Sequence, residues 1–171
     1  MISKKMLGHL NHQLNREIYS AYLYLSMAAY ATNNGLSGFA NWYNVQSQEE
    51  MTHAMKFYNY INQQGGRVVL EAIEAPQNYF TSIAKAVEKT LEHEKAVTSM
   101  INNLVKMAKK DGDNATEIFL QWFITEQVEE ESNVQEILHK VSLVGTKGGG
   151  LFMVDRELAQ RRFIPPQVAA E

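Results

Sequence analysis

The chain has 171 residues, 45% apolar and 20% charged, which suits one globular domain with a sizeable core. A formal net charge of −3 gives no basic bias toward nucleic acid, and no run of about 20 apolar residues is present to span a membrane. With no cysteine, disulfide frameworks, zinc ribbons and thiolate-held iron centres are excluded together, so a metal would be held by carboxylate, imidazole, carbonyl or water. The start, Met1-Ile2-Ser3-Lys4-Lys5-Met6, has no long apolar run behind it, so no signal peptide is expected and a cytoplasmic location is the default.

Prolines occur only at Pro76, Pro165 and Pro166, which leaves long stretches without a helix breaker. The first predicted helix runs from about Lys4 to Asn33, with Met6, Leu10, Leu14, Glu17, Ala21, Tyr24 and Ala28 on one stripe. The turn Asn33-Asn34-Gly35 leads to a second helix, from about Ser37, a candidate cap, to Gln64. Its stripe is Phe39, Tyr43, Gln46, Glu50, His53, Phe57 and Tyr60. A long connection from Gly65-Gly66 to Phe80 follows, in which Val68-Val69-Leu70 reads as strand-like and half-buried. The second helix should be roughly 42 Å long, and an extended connection of about 16 residues reaches roughly 53 Å, so the chain can return along the whole bundle. Helices two and three are then parallel, the single-crossover topology.

The third predicted helix runs from about Ser82 to Lys109, with Ile83, Val87, Leu91, Glu94, Val97, Ile101 and Leu104 on its stripe. After the turn Asp111-Gly112-Asp113-Asn114, the fourth runs from about Asn114 to Leu143, with Phe119, Phe123, Glu126, Glu130, Val134, Ile137 and Val141. Gly145 and Gly148-Gly149-Gly150 then form a hinge to a short amphipathic segment with Leu151, Val154 and Leu158, ended by Arg161-Arg162 and Pro165-Pro166. A four-helix bundle does not need this fifth stripe, so another subunit is a natural place for it to pack. The expected fold is all-α: a bundle over residues 1–144 with one long crossover, and a short fifth helix and tail over 145–171 for assembly.

The informative feature is acid inside the apolar stripes, because a buried carboxylate shifts its pKa, finds a partner or binds a metal. Glu17, Glu50, Glu94 and Glu130 replace apolar residues on four different helices, each near mid-length, and His53 shares a helix face with Glu50 at i,i+3. Four inward acids at one level repel each other, and two divalent cations neutralise them. Oxygen-rich ligation with one imidazole suits iron or manganese, with zinc also open.

These residues sit in Glu17-Ile18-Tyr19-Ser20-Ala21-Tyr22-Leu23-Tyr24, Gln48-Glu49-Glu50-Met51-Thr52-His53, Glu92-His93-Glu94, Gln121-Trp122-Phe123 and Glu126-Gln127-Val128-Glu129-Glu130-Glu131. In these motifs, and over nearly its whole length, the chain resembles the prokaryotic non-haem ferritins. The resemblance implies a homo-oligomeric shell of 24 subunits, with a centre in each bundle that oxidises ferrous iron with dioxygen. By family pattern, Glu17, Glu50 and His53 bind a first iron, and Glu50 bridges to a second held by Glu94 and Glu130, with Gln127 close by. Glu49, Glu126 and Glu129 would form a third iron site that shares Glu130. Tyr24 and Trp122 are the family's aromatic neighbours of the centre. The second E-x-x-H motif of the general di-iron plan reads Gln127-x-x-Glu130 here, the ferritin rather than the bacterioferritin variant, which argues for iron in transit.

Other residues carry plainer readings. Glu136 and His139 repeat the E-x-x-H spacing about 120° and 180° around the helix from Glu130, a solvated surface pair. His9, His12 and His93 lie off the stripes and read as surface, as does Glu131 in its charge run. Tyr24 reads first as a core aromatic, with a redox role open, and Trp122 reads as core packing. Met51 stands where bacterioferritin carries its haem ligand, but no haem is expected. Glu117 fits both a pore acid and an acid at a helix amino terminus. The rival functions are a passive metal-binding shell and a haem-binding store. A rubrerythrin-like oxidoreductase would need the cysteines this chain lacks.

Overall fold

The computed structural model describes residues 2–145 and 148–165. Met1, Thr146, Lys147 and residues 166–171 lie outside it, and with them the expected role of Pro166 and the end of the 145–171 segment. The helices are α1 Lys4–Asn33, α2 Ser37–Gln63, α3 Ile83–Asp111, α4 Asn114–Val144 and α5 Gly149–Leu158, and no strand occurs among the described residues.

Local chemistry sets most helix ends. Ser3 Oγ accepts from Met6 N at 3.1 Å to open α1, Ser82 Oγ accepts from Lys85 N at 3.2 Å to open α3, and Asp113 Oδ1 accepts from Thr116 N at 3.1 Å to open α4. Gly112 closes α3 at φ 66°, a left-handed conformation that favours glycine. The start of α2 is different. Ser37 does not cap it: the cap position is Leu36, with no side-chain bond. The carboxylate of Asp155 on α5 does the work, accepting from Gly38 N at 2.8 Å and Phe39 N at 3.0 Å. A negative charge there satisfies two orphan donors at the positive end of the helix dipole.

The connection between α2 and α3 climbs along α1. Asn11 Nδ2 donates to Arg67 O at 3.0 Å while Val69 N donates to Asn11 Oδ1 at 2.7 Å. One turn on, Asn15 Nδ2 donates to Val69 O at 2.9 Å and Glu71 N donates to Asn15 Oδ1 at 2.9 Å. Ser26 Oγ then donates to Gln77 O at 2.9 Å, and the Tyr30 and Phe80 rings meet edge-on at 5.2 Å. The connection thus rises in the direction of α1, so α3 starts where α1 ends and runs parallel to α2. The expected strand at Val68-Val69-Leu70 is not formed. Two asparagine amides replace the strand partner, and Val69 and Leu70 are exposed.

The fifth stripe also departs from expectation. Leu151, Val154 and Leu158 are buried against this chain's own bundle, in the apolar cluster that includes Phe39, Trp42, Ile137 and Val141. Gly38 makes that approach possible, since a Cβ there would lie 1.6 Å from Asp155 O.

The core is two apolar clusters, one toward each end of the bundle. On α1 one cluster stops at Leu14 and the other begins at Leu23, which brackets Glu17. On α2 the gap falls between Tyr43 and Phe57, on α3 between Val87 and Val97, and on α4 between Phe123 and Val134. A polar layer therefore crosses the bundle at mid-height. On α4 the predicted stripe is buried at Phe123, Glu130, Val134, Ile137 and Val141, but at two positions the neighbouring residue takes the place: Leu120 and Gln127 are buried, whereas Phe119 and Glu126 are half-buried. Phe119 packs at the edge, stacked on Tyr60 at 3.9 Å.

Candidate metal centre

The polar layer brings Glu17, Glu50, His53, Glu94, Gln127 and Glu130 together from all four bundle helices, each buried. One ligand-capable atom each from Glu17, Glu50 and His53 lies within 4.8 Å of the others, and so does a second group of His53, Glu126 and Glu130. His53 belongs to both. Its Nδ1 lies 3.4 Å from Glu50 Oε2 and its Nε2 3.7 Å from Glu126 Oε1.

The acids are held by neutral donors. Gln13 Nε2 donates to Glu17 Oε1 at 2.8 Å, and Gln46 Nε2 donates to Glu130 Oε2 at 2.6 Å. The Tyr24 hydroxyl donates to Glu94 Oε1, and Gln127 Nε2 donates to Glu94 Oε2 at 3.1 Å. Glu17 Oε2 is buried with no hydrogen-bond partner, and Glu50 Oε2 is buried with only the 3.4 Å contact from His53 Nδ1. A bare carboxylate oxygen in a protein interior is costly, and a cation is the natural partner.

The electrostatics agree. Burial, then the charge of Glu50, raises the Glu17 carboxyl to about 8. Burial raises Glu94 to about 6 against the opposing bonds from Tyr24 and Gln127. Burial, then the neighbouring acids Glu94 and Glu50, raises Glu130 well above the carboxylate range. Burial pulls His53 down, but Glu126, Glu50 and Glu17 outweigh it and hold the imidazole well above its usual value. The layer thus stores protons against its own repulsion, and a divalent cation can take their place.

The remaining predicted residues divide. Glu126 is half-buried and faces His53, while Glu129 is exposed and joins neither group. Glu49 is engaged by Arg161 Nη2, and burial raises its carboxyl even so. A cleft of about 380 Å³, lined by Glu49, Thr52, His53, Lys56, Trp122, Glu126, Phe163 and Ile164, opens beside the centre. Trp122 is not core packing: it is 37% exposed, meets the His53 ring edge-on at 5.3 Å and carries Lys56 Nζ 4.0 Å from its ring.

Several residues depart from their sequence reading or add to it. His93 is buried, not at the surface, because it faces α1, where it shares a 2.7 Å hydrogen bond with Ser20 Oγ. Burial, then Arg16 and Lys89, lowers it to about 4, so it stays neutral, with its ring 5.8 Å from that of Tyr24. Glu131 is half-buried and accepts from Thr98 Oγ1 at 2.6 Å. Gln13 and Gln46 were missed as holders of the acids, although the register of Gln46 on the α2 stripe was a signal. His9, His12, Glu136 and His139 are exposed as expected. Met51 is 45% exposed, and Glu117 lies in the first turn of α4, 3.5 Å from Lys109 Nζ.

Known proteins agree with this architecture. The family described as "Ferritin-like domain" matches residues 7–144. A bacterial non-heme ferritin of Staphylococcus epidermidis is 40% identical over 163 residues, covering 95% of this chain and 98% of that protein. A probable bacterial non-heme ferritin-like protein of Haemophilus influenzae is 41% identical over 92% of this chain and 96% of its own length. A closed form of Archaeoglobus fulgidus ferritin, engineered by mutagenesis, superposes with a TM-score of 0.94 at 49% identity, covering 96% of this chain and all of that one (100%). The open-pore ferritin of the same archaeon gives 0.93 at 49% identity, covering 94% and 98%. With the crossover bundle, the mid-height acid layer and these relatives in agreement, the chain belongs to the ferritin family, among its prokaryotic non-haem members.

Proposed function

We propose that the chain is a ferroxidase subunit of an iron store, with ferrous iron and dioxygen as its substrates. The single observation that carries this reading is the convergence of the buried Glu17 and Glu50 carboxylates with His53, in which Glu17 Oε2 has no hydrogen-bond partner. Glu17, Glu50 and His53 take the first ferrous ion. Glu50 turns its second oxygen to a second ion held by Glu94 and Glu130, with Gln127 and Tyr24 steering Glu94. Four acids then balance two doubly charged ions.

Each ferrous ion gives up one electron, and dioxygen accepts both and leaves with two protons as hydrogen peroxide, water supplying the oxide or hydroxide that follows. The protons held by the raised carboxyls leave as the ions enter. Oxidation adds one positive charge per ion, which the four acids no longer balance, so bridging oxide or hydroxide forms, further protons are released, and ferric product moves on. Glu126, Glu129 and Glu49, with Glu130, are the acids of a third ion beside the pair. By family likeness the subunits close a 24-membered shell around the mineral, in the cytoplasm, and residues 145–171 contribute to its assembly. Glu117 would guide ions at a pore.

Mixing the protein with ferrous iron in air tests this. A fast coloured diferric species followed by mineral absorbance, in a particle of 24-subunit native mass, is the expected result. Oxidation no faster than in buffer would leave a passive store and overturn the ferroxidase reading.

A further inference from the structure

Arg161 follows α5 and brings a cation to the polar layer. Its Nη2 pairs with Glu49 Oε2, and its Nη1 donates to Gln46 Oε1 at 2.6 Å. Gln46, fully buried, passes the contact on: its Nε2 donates to Glu130 Oε2 at 2.6 Å. A guanidinium has donors only, so it fixes the Gln46 oxygen toward itself and the amide nitrogen toward Glu130. The residue is also pinned. Asn41 Nδ2 holds Arg161 O at 2.9 Å, and the guanidinium carbon stands 4.8 Å from the centre of the buried Trp42 ring.

Glu49 is one of the acids proposed above for a third ion, and this inference rests on that reading. A guanidinium bound to Glu49 already supplies positive charge where that ion would bring its own. The two repel at such range, and the ion needs the carboxylate oxygen that Arg161 holds. We infer that Arg161 is the built-in counter-ion of the third metal position: it neutralises Glu49 until a third divalent cation displaces it. Its release also frees the Gln46 amide, so filling the third position loosens a holder of Glu130 and draws the guanidinium off the Trp42 ring, while Asn41 still holds the Arg161 backbone.

Zinc tests this without redox chemistry. Calorimetric titration of the chelated full-length particle should show two tight ions per subunit and a weaker third. Arg161→Gln should strengthen the third by on the order of tenfold relative to the pair. Arg161→Lys, which keeps the charge, should stay near the parent. In a Trp122→Phe background Trp42 is the sole tryptophan, so its emission should change at the third equivalent and not at the first two; with Arg161→Gln added, that change should vanish. An unchanged third affinity in Arg161→Gln, or Arg161→Lys behaving as Arg161→Gln does, overturns the inference while the two-ion centre stands. A parent that binds two ions and no third, with no gain in Arg161→Gln, overturns it equally. Fewer than two ions in the parent overturns both this inference and the function proposed above.

Discussion

The Tyr24 hydroxyl donates to Glu94 Oε1 while Gln127 Nε2 donates to Glu94 Oε2 at 3.1 Å, so both oxygens of this buried carboxylate are taken by neutral donors. Burial and the nearby acids hold the Tyr24 phenol well above its usual range, which keeps it the donor. Tyr24→Phe should leave one Glu94 oxygen unpartnered and cost about 1–3 kcal/mol in the chelated protein. A bound cation would satisfy that oxygen, so the loss should shrink in zinc. Thermal unfolding at fixed subunit concentration, with chelator and with zinc, compares the two. Equal losses would mean that Glu94 does not meet the metal.

The bond from Asp155 to the start of α2 predicts a stability effect far from the metal. Asp155→Ala removes the carboxylate that accepts from Gly38 N and Phe39 N, and should cost about 1–2 kcal/mol, as the loss of a helix cap does. Gly38→Ala should reach the same end by steric clash, because its Cβ would meet Asp155 O. Both variants should release α5, making the glycine hinge before it more open to limited proteolysis. Protease resistance equal to the parent in both would show that α5 is not held there.

The bundle was legible because its pattern is local. The observed α3, Ile83–Asp111, lies close to the predicted span from Ser82 to Lys109, since cap, stripe and stop all lie in one stretch of chain. The acid layer was legible for the same reason: Glu17, Glu50, Glu94 and Glu130 each interrupt a local apolar repeat. What escaped depends on distant pairs. Nothing beside Ser37 says that Asp155 will cap α2, and nothing beside Val69 says that Asn11 and Asn15 will serve as its strand partner. His93 was misplaced because its neighbour is Ser20 on another helix. On α4 the predicted stripe holds at Phe123, Glu130, Val134, Ile137 and Val141, while Leu120 and Gln127 replace Phe119 and Glu126 because the apolar face is broad enough to allow either.

The raised carboxyls fix the sign of a pH dependence. A folded state that raises an acid's pKa holds a proton the unfolded chain gives up at lower pH. That stability is complete in mild acid and is lost as pH rises through about 6 for Glu94 and about 8 for Glu17. His53, also raised, acts in the same direction. The chelated protein should therefore lose thermal stability across this range, and Glu17→Gln should flatten the upper part. Saturating zinc should reverse the trend, because metal replaces the protons. A chelated protein whose stability rises from pH 5 to 8 would mean that these carboxylates are not strained by burial.

The most direct test separates Glu50 from Glu126 in stopped-flow oxidation of ferrous iron, with both variants and the parent from matched preparations. Glu50 is the acid proposed to touch both ions, so Glu50→Ala leaves three acids for four positive charges and removes the bridge. Glu126 is half-buried at the edge, on the far side of His53, with its Oε1 3.7 Å from His53 Nε2. Glu50→Ala should abolish the fast diferric phase, while Glu126→Ala should keep it and alter the later mineral growth. A fast phase that survives Glu50→Ala, or is lost equally in both variants, would contradict the two-ion centre proposed here.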